Sequence, residues 1–282
     1  MRFGASTFIW VSPFSNQTLG LVKKVRELGF DIIEICVEDP VTIDVGRIQR
    51  ALAENDLTAT VCGAFGPGRD ASSDEENVRA NTAKYLETCI DIAKELGSPF
   101  VAGPMYSATG KTNLLSPPQR SKQWSLAVET LKPVAEYAGE RGVQLAIEPL
   151  NRFETDFINT VEQGLELIER IGASNVGLLL DTFHMNIEEK NLATAIRMAG
   201  SRVFHFHSCE SDRGTPGTGH IEWPEVVLAL TAINYQGPVV IEAFTAEITE
   251  IARAVSLWRP LAPDQDSLAR EGLRFLQRIF NR

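Results

Sequence analysis

Short apolar runs alternate along the chain with longer segments in which apolar residues recur at helical spacing. A short apolar run without polar alternation is typical of a strand that is buried on both faces, as in parallel sheets. The pattern predicts strands at 3–9, 31–36, 57–63, 100–104, 143–148, 176–181, 203–208 and 239–243. It predicts helices at 19–28, 44–55, 74–96, 116–142, 160–171, 187–199, 224–233, 245–258 and 266–280.

This regular alternation predicts parallel βαβ units, and eight such units in one chain of 282 residues predict a closed (β/α)₈ TIM barrel. We expect a single barrel domain over residues 1–282 with an extra helix at its C-terminal end. An open, doubly wound sheet is the competing fold, but its glycine-rich dinucleotide turn is missing after the first predicted strand.

Four predicted strands end in side chains that can bind a metal ion. These residues are Glu148, Asp181, His207 and Glu242, and barrels carry their chemistry at the C-terminal ends of the strands. An oxygen-rich set with one imidazole suits Mn²⁺ or Mg²⁺, with Co²⁺ tolerated, better than a structural zinc. In the alternative interpretation, Asp181 caps a following helix and the two glutamates form structural ion pairs.

The two glutamates have a further implication. Strands five and eight of an eight-stranded barrel are three steps apart, roughly 135° around the axis, so Glu148 and Glu242 should face each other across the mouth. Opposed carboxylates can remove a proton on one face of a carbon and return it on the other. A cation between them can polarise a carbonyl and stabilise an enediolate.

Composition narrows the possible partners. The chain has 27 basic and 37 acidic residues and a net charge of −10, without a cluster of Lys and Arg, which argues against nucleic acid binding. We expect no signal peptide and no membrane association, because the first residues enter directly into a predicted strand and no apolar run has membrane length. The four cysteines lack CxxC spacing and predict free thiols in a cytoplasmic protein.

The motifs around these strand ends resemble those of the ketose 3-epimerases, the D-tagatose, D-allulose and L-ribulose 3-epimerases of the xylose isomerase-like barrels. The resemblance covers essentially the full length and is carried by Glu-Pro-x-Asn-Arg at 148–152, Asp-Thr-x-His-Met-Asn at 181–186, and the runs 207–214 and 241–244. It implies that Glu148, Asp181, His207 and Glu242 bind the metal, foremost Mn²⁺, and that the two glutamates also exchange the proton. It further implies a small-molecule ketose as substrate and a homodimer or homotetramer.

The resemblance also implies which residues contact the sugar. Glu154, His184 and Arg213 should hold oxygens near the reacting carbons, and His184 and Arg213 are expected on loops at the mouth. Trp10, Cys62 and Tyr106 are further candidates for sugar contacts, with packing at the rim as the alternative for Trp10. His205 is interpreted as an interior histidine with its hydrogen bonds satisfied, and His220 as structural.

Two predicted loops, 106–115 and 213–221, follow strands at the active face and are candidate lid or rim segments. Residues 106–111 depart from the aromatic-rich version of many members that prefer D-allulose, so the preferred ketose stays open. The glycine-rich run 213–219 could cradle phosphate, but a single cation accompanies it and the family's substrates are free sugars. An unphosphorylated ketose is therefore favoured.

Functions of other classes remain as alternatives. A dehydratase of the inosose or dehydroshikimate type, or a hydroxypyruvate isomerase, could use the same metal and carboxylates on the same barrel. A DNA-repair endonuclease needs several metals and more than the four histidines present. A sugar-binding protein without catalysis has no need of opposed glutamates on a metal.

Overall fold

The computed structural model describes residues 1–280 and contains a closed barrel of parallel strands. The strands are β1 (Phe3–Ser6), β2 (Ile32–Val37), β3 (Thr58–Gly63), β4 (Phe100–Gly103), β5 (Gln144–Ile147), β6 (Val176–Asp181), β7 (Val203–His207) and β8 (Val239–Ile241). Each strand pairs with the next in sequence, and β1 pairs with β8 to close the barrel. The predicted (β/α)₈ architecture is confirmed.

Helices surround the barrel and connect its strands. They are α1 (Gly20–Glu27), α2 (Val45–Glu54), α3 (Glu76–Leu96), α4 (Pro117–Glu140), α5 (Val161–Ile171), α6 (Thr182–Glu188), α7 (Leu192–Ala199), α8 (Trp223–Ala232), α9 (Thr249–Ala254) and α10 (Gln265–Phe280). Side-chain caps explain several of the starts. Asp44 accepts the Arg47 N–H at α2, and Thr160 and Gln163 form a capping box at α5.

Three predicted elements differ from the structure. The predicted strand 3–9 ends at Ser6, whose hydroxyl accepts the Phe8 N–H and starts a 3₁₀ turn. The predicted helix 187–199 is two helices, because the Asp181 carboxylate starts α6 early and Asn191 caps α7 separately. The predicted helix 245–258 is reduced to α9.

Side chains on alternate strand positions divide the core into two parts. Residues that face the helices join a large apolar cluster between barrel and helices, for example Ile33 on β2 and Leu178 on β6. A smaller cluster contains Cys36, Phe100 and Leu179 and lies inside the barrel. The interior therefore has a packed floor below the C-terminal ends of the strands.

Among residues 1–280, no helix combines the length and apolar character that a membrane crossing needs. The predicted domain 1–282 also includes residues 281 and 282, which lie outside the described residues. The predicted extra helix at the C-terminal end corresponds to α10, which follows α9 and packs against α8 and β8.

Candidate active site

The four strand-end residues predicted as metal ligands lie together. Asp181 and His207 are the last residues of β6 and β7 and are paired neighbours, while Glu148 and Glu242 directly follow β5 and β8. One ligand atom from each residue can be chosen so that all four lie within 4.8 Å of one another. Two ligands on opposite sides of an ion at about 2.1 Å each would be about 4.2 Å apart, so the spacing fits a single divalent cation.

The hydrogen-bond pattern also fits a cation at this place. Glu148 Oε1 and His207 Nδ1 are both buried and have no hydrogen-bond partner among residues 1–280. His207 Nδ1 lies 3.6 Å from Glu242 Oε2 and 3.9 Å from Asp181 Oδ2. A buried acceptor without a donor is costly, so such atoms are expected to have another partner. The Glu148 oxygen and the His207 nitrogen can both bind a metal ion, which would be that partner.

The two carboxylate oxygens of Asp181 make different contacts, one with the start of α6 and one with the carboxylate cluster. Its Oδ1 accepts the Phe183 N–H at 2.6 Å and caps α6. Its Oδ2 accepts from Arg213 Nη1 at 2.9 Å and is also contacted by the Cys209 thiol. The capping interpretation and the ligand interpretation of Asp181 are therefore compatible.

Arg213 lies in the loop after β7, as predicted, but its side chain is buried and only 5% of the residue is exposed. Its Nη1 donates to Asp181 Oδ2 at 2.9 Å and to Glu242 Oε2 at 2.8 Å, and its guanidinium lies over the Phe183 ring. Its backbone φ of +67° is uncommon for a residue with a side chain. The loop thus turns sharply and directs this cation into the carboxylate cluster.

His184 was expected on a loop, and that expectation is wrong, because His184 belongs to α6 and is buried. Its Nδ1 accepts the Asn151 backbone N–H at 3.1 Å, so in a neutral ring Nε2 carries the proton. Burial and the charge of Arg213 lower the pKa of His184 well below its ordinary value. Nε2 lies 2.9 Å from Arg213 Nη2, which is also a donor. Two N–H donors do not hydrogen-bond each other, so each of these groups is free to donate to a ligand oxygen in the cavity that both line.

The opposed glutamates have different proton affinities. Burial, followed by the charge of Glu242, raises the pKa of Glu148 well above its ordinary value. Burial acts to raise the pKa of Glu242 too, but the charges of His207 and Arg213 lower it overall. Without a metal, one glutamate is therefore prone to hold a proton and the other to stay ionised.

A cavity of about 480 Å³ opens directly over the cluster. Glu148, Glu242, His184 and Arg213 form its polar floor, together with Glu154, whose carboxylate accepts from Asn151 Nδ2 at 2.8 Å. Other lining residues are mostly apolar or small and include Phe8, Cys62, Phe65, Phe244 and Ile251. The predicted loop 106–115 contributes Thr109 and Gly110 to the rim.

Two of the further candidates for sugar contacts, Trp10 and Tyr106, lie outside the cavity lining. The Trp10 indole is half-buried, and its Nε1 donates to Asp266 at 2.7 Å, which attaches the segment after β1 to α10. Tyr106 is fully buried, stacks on Phe157 and accepts the Leu150 N–H. Both side chains support the loops around the site instead of forming its wall.

Three carboxylates near the site were not predicted from the sequence. Glu38 follows β2, lines the cavity and accepts from the Ser12 hydroxyl at 2.6 Å, and burial raises its pKa. The rule that selected the other strand-end carboxylates applies to Glu38 as well. Glu34 interrupts the apolar run of β2, and a buried carboxylate requires partners, which are His205 and His207. Glu210 lies buried beneath the Arg213 loop.

Comparisons with known proteins agree with this geometry. The family model for the xylose isomerase-like TIM barrel matches residues 22–279. The probable ketose 3-epimerase of Synechocystis sp. is 35% identical over 99% of this chain and 97% of its own length. The L-ribulose 3-epimerase of Mesorhizobium japonicum is 35% identical over 98% and 93%.

Solved structures give the same result. The structure of D-allulose 3-epimerase from Methylomonas sp. in complex with D-allulose superimposes with a TM-score of 0.92, at 30% identity over 99% of this chain and 96% of that one. Sequence, fold and the four-residue cluster agree on a group of isomerases. The chain belongs to the ketose 3-epimerases, within the xylose isomerase-like TIM barrel family.

Proposed function

We propose that the protein is a metal-dependent enzyme that interconverts free ketoses at C3 through a cis-enediolate, with Glu148 and Glu242 exchanging the proton. The observation that carries the proposal is the pair of glutamates in one four-residue cluster at the floor of the cavity. D-allulose and D-fructose, D-tagatose and D-sorbose, and L-ribulose and L-xylulose are the candidate substrate pairs. The relatives named L-ribulose 3-epimerase and D-psicose 3-epimerase support this substrate class.

Glu148, Asp181, His207 and Glu242 would hold the metal, and Mn²⁺ is the proposed ion, with Co²⁺ or Mg²⁺ able to replace it. Three carboxylates and one imidazole form the hard, oxygen-rich set that these ions prefer. When bound, a divalent cation polarises the ketose carbonyl and stabilises negative charge on neighbouring oxygens.

The two glutamates would act from opposite faces of C3. The hydrogen on C3 is acidic because the C2 carbonyl delocalises the charge left behind. One ionised carboxylate accepts that proton, and the other, in its protonated form, donates to the opposite face of the planar enediolate. The opposite pKa shifts of Glu148 and Glu242 support this division of roles, which reverses when the reaction runs the other way.

The substrate oxygens would be held by three polar side chains. His184 Nε2–H and Arg213 Nη2 lie side by side in the cavity lining, and each could donate to an oxygen of the reacting part of the sugar. Glu154 can accept from a hydroxyl, and Cys62 can pack against the sugar from the apolar side of the cavity. Trp10 and Tyr106 are proposed to act indirectly, by fixing the loops that carry the cavity wall.

The substrate is proposed to be unphosphorylated. In the glycine-rich loop after β7, the Gly217 and Ile221 N–H groups donate to the Glu210 carboxylate instead of pointing at a ligand. Arg213 is already paired with Asp181 and Glu242. The loop that could have cradled a phosphate is therefore occupied by an internal anion.

We also propose the assembly of the protein and its location in the cell. A homodimer or homotetramer agrees with the exposed large apolar side chains Leu114, Phe153 and Trp258. Four buried free cysteines agree with a reducing cytoplasm. We further propose that residues 1–282 act as one domain. Light scattering after size-exclusion chromatography measures the assembly directly.

Epimerisation in D₂O at saturating Mn²⁺ tests the mechanism. The product should gain deuterium at C3 and none at C4, and inversion without deuterium at C3 would refute proton exchange in favour of a hydride shift. Glu148→Gln and Glu242→Gln serve as matched variants. Each should lose epimerisation by roughly 10²–10⁴-fold, while still exchanging the C3 hydrogen of the one epimer that faces its remaining glutamate.

A further inference from the structure

Beneath the proposed metal cluster lies a second buried group inside the barrel. Glu34 on β2 is fully buried, and its Oε1 lies 2.8 Å from His207 Nε2. Its Oε2 lies 2.6 Å from His205 Nε2 and accepts the Thr60 hydroxyl at 3.1 Å. Both carboxylate oxygens are thus engaged, one of them by a proposed metal ligand.

We infer that Glu34 is a positioning residue for His207. The Glu34 carboxylate accepts the His207 Nε2–H, and this orients the ring so that the Nδ1 lone pair is directed at the metal position. The inference rests on the metal site of the proposed function. An imidazole that binds a cation through one nitrogen carries its proton on the other, and the partner of that proton fixes the ring. The unpartnered His207 Nδ1 beside Glu242 and Asp181 is the free end of this arrangement.

His205 and Thr60 have a complementary part. They hold Glu34 Oε2, so the carboxylate cannot rotate and Oε1 stays on His207. His205 also packs against Phe100, whose ring centre lies 4.5 Å from the imidazole centre. The prediction that its hydrogen bonds are satisfied is confirmed for Nε2 and wrong for Nδ1, which is buried without a partner among residues 1–280. The contact of His205 with Glu34 explains why two histidines stand two positions apart on β7, although only His207 reaches the cluster.

A purely structural role accounts poorly for this carboxylate. Burying a charged group costs several kcal/mol unless it is well paired. The neighbouring interior positions Cys36 and Leu179 fill the same barrel with apolar or thiol side chains. A carboxylate in this apolar floor is explained if it accepts N–H groups from both His205 and His207, which a neutral side chain cannot do equally well.

Glu34→Gln is the test, because glutamine keeps the shape but offers one acceptor and one donor where both imidazoles need an acceptor. The dissociation constant of Mn²⁺ is measured by titration calorimetry on the metal-free, folded chain. We expect it to rise about 10–100-fold. The visible spectrum of the Co²⁺-loaded variant at saturation should also differ from that of the wild type, because the imidazole is reoriented.

Thr60→Val is the matched control, because it removes a hydrogen bond to the same carboxylate without touching any proposed ligand. It should raise the Mn²⁺ dissociation constant much less than Glu34→Gln does, because His205 still holds the same carboxylate oxygen. The metal-free melting temperatures of both variants show how far each change affects folding alone. If Glu34→Gln does not fold, Glu34→Asp is measured in the same way, since the shorter carboxylate draws back from His207.

Wild-type affinity in the Glu34 variant, or equal losses in the Glu34 and Thr60 variants, would overturn the inference. So would a wild-type protein that binds no Mn²⁺. The proposed function fails separately, if Mn²⁺ binds as expected but no ketose is epimerised. In that case a selective loss of Mn²⁺ affinity in Glu34→Gln would still support the positioning role.

Discussion

Asp181 offers a test that separates helix capping from metal binding within one residue. Its Oδ1 caps α6 through the Phe183 N–H, and its Oδ2 belongs to the ligand cluster and pairs with Arg213. Asp181→Asn keeps an acceptor for the cap and removes the charge, whereas Asp181→Ala removes both. Comparison of the two variants therefore assigns each function to its own oxygen.

The size of the effect follows from mass action. At a Mn²⁺ concentration of 100 times its dissociation constant, the wild type gains about 2.7 kcal/mol of stability. Loss of a ligand weakens binding by at least about 100-fold, which leaves a gain of about 0.4 kcal/mol at the same concentration. For a domain of this size 1 kcal/mol corresponds to about 2–4 °C, so the melting temperature should rise about 5–11 °C in the wild type and about 1–2 °C in Asp181→Asn.

Thermal unfolding with and without Mn²⁺ is the assay. Without metal, Asp181→Ala should melt below Asp181→Asn, because losing a helix cap costs about 1 kcal/mol. A Mn²⁺-induced rise in Asp181→Asn as large as that of the wild type would refute Asp181 as a ligand. Equal melting temperatures of the two metal-free variants would refute the capping role.

Three further outcomes are expected. Chelation should abolish epimerisation and Mn²⁺ or Co²⁺ should restore it; full activity of metal-free protein would contradict the metal assignment. Arg213→Lys should lower kcat/KM about 10–100-fold, because it loses a charged hydrogen bond of about 1.5–3 kcal/mol. Since the buried Arg213 also bonds Asp181 and Glu242, the unfolding free energy should fall by no more than a similar amount, and a larger fall without a loss of kcat/KM would contradict the substrate role. Glu210→Gln should lower the unfolding free energy by about 1–3 kcal/mol for each N–H left unpaired, because its carboxylate accepts from Ser211, Gly217, Ile221 and Trp223. Denaturant unfolding matching the wild type would contradict this role of Glu210.

Much of the site could be predicted because it follows a local rule. Parallel strands of a closed barrel end on one face, so a carboxylate or histidine at the end of an apolar run reaches that face whatever the loops do. Asp181 and Glu148 were found in this way, and the structure places them with His207 and Glu242 in one cluster. The strand alternation that predicted the barrel depends equally on local periodicity.

The rest depends on contacts that the local pattern does not contain. Glu34 lies 173 positions from His207 in sequence, and only the closure of the barrel brings β2 opposite β7. The inward direction of Arg213 depends on a left-handed backbone conformation and on a loop held by Glu210. The early start of α6 depends on the Asp181 carboxylate, which accepts the Phe183 N–H while its other oxygen stays in the cluster.

The charge balance of the cluster leads to a prediction about pH. Three buried carboxylates, Glu148, Asp181 and Glu242, face one cation, Arg213, and a divalent ion makes the sum neutral. Without that ion, protons relieve the excess charge. Burial raises the pKa of Glu148 and of Asp181, and although burial also disfavours the His207 imidazolium, the charges of Glu34 and Glu242 raise its pKa well above the ordinary value.

Metal and protons should therefore compete for the same atoms. Below the raised pKa of Glu148 the metal-free site holds a proton that Mn²⁺ must displace, so the dissociation constant should increase about tenfold for each pH unit lost per displaced proton. Above all the raised pKa values the affinity should level off. Titration calorimetry in buffers of different ionisation enthalpy counts the released protons, and the count should fall in Glu148→Gln, which has no carboxylate to protonate. If Mn²⁺ binding releases no proton at neutral pH, the carboxylates are already ionised and His207 is already neutral in the metal-free protein. The predicted competition between metal and protons would then be wrong.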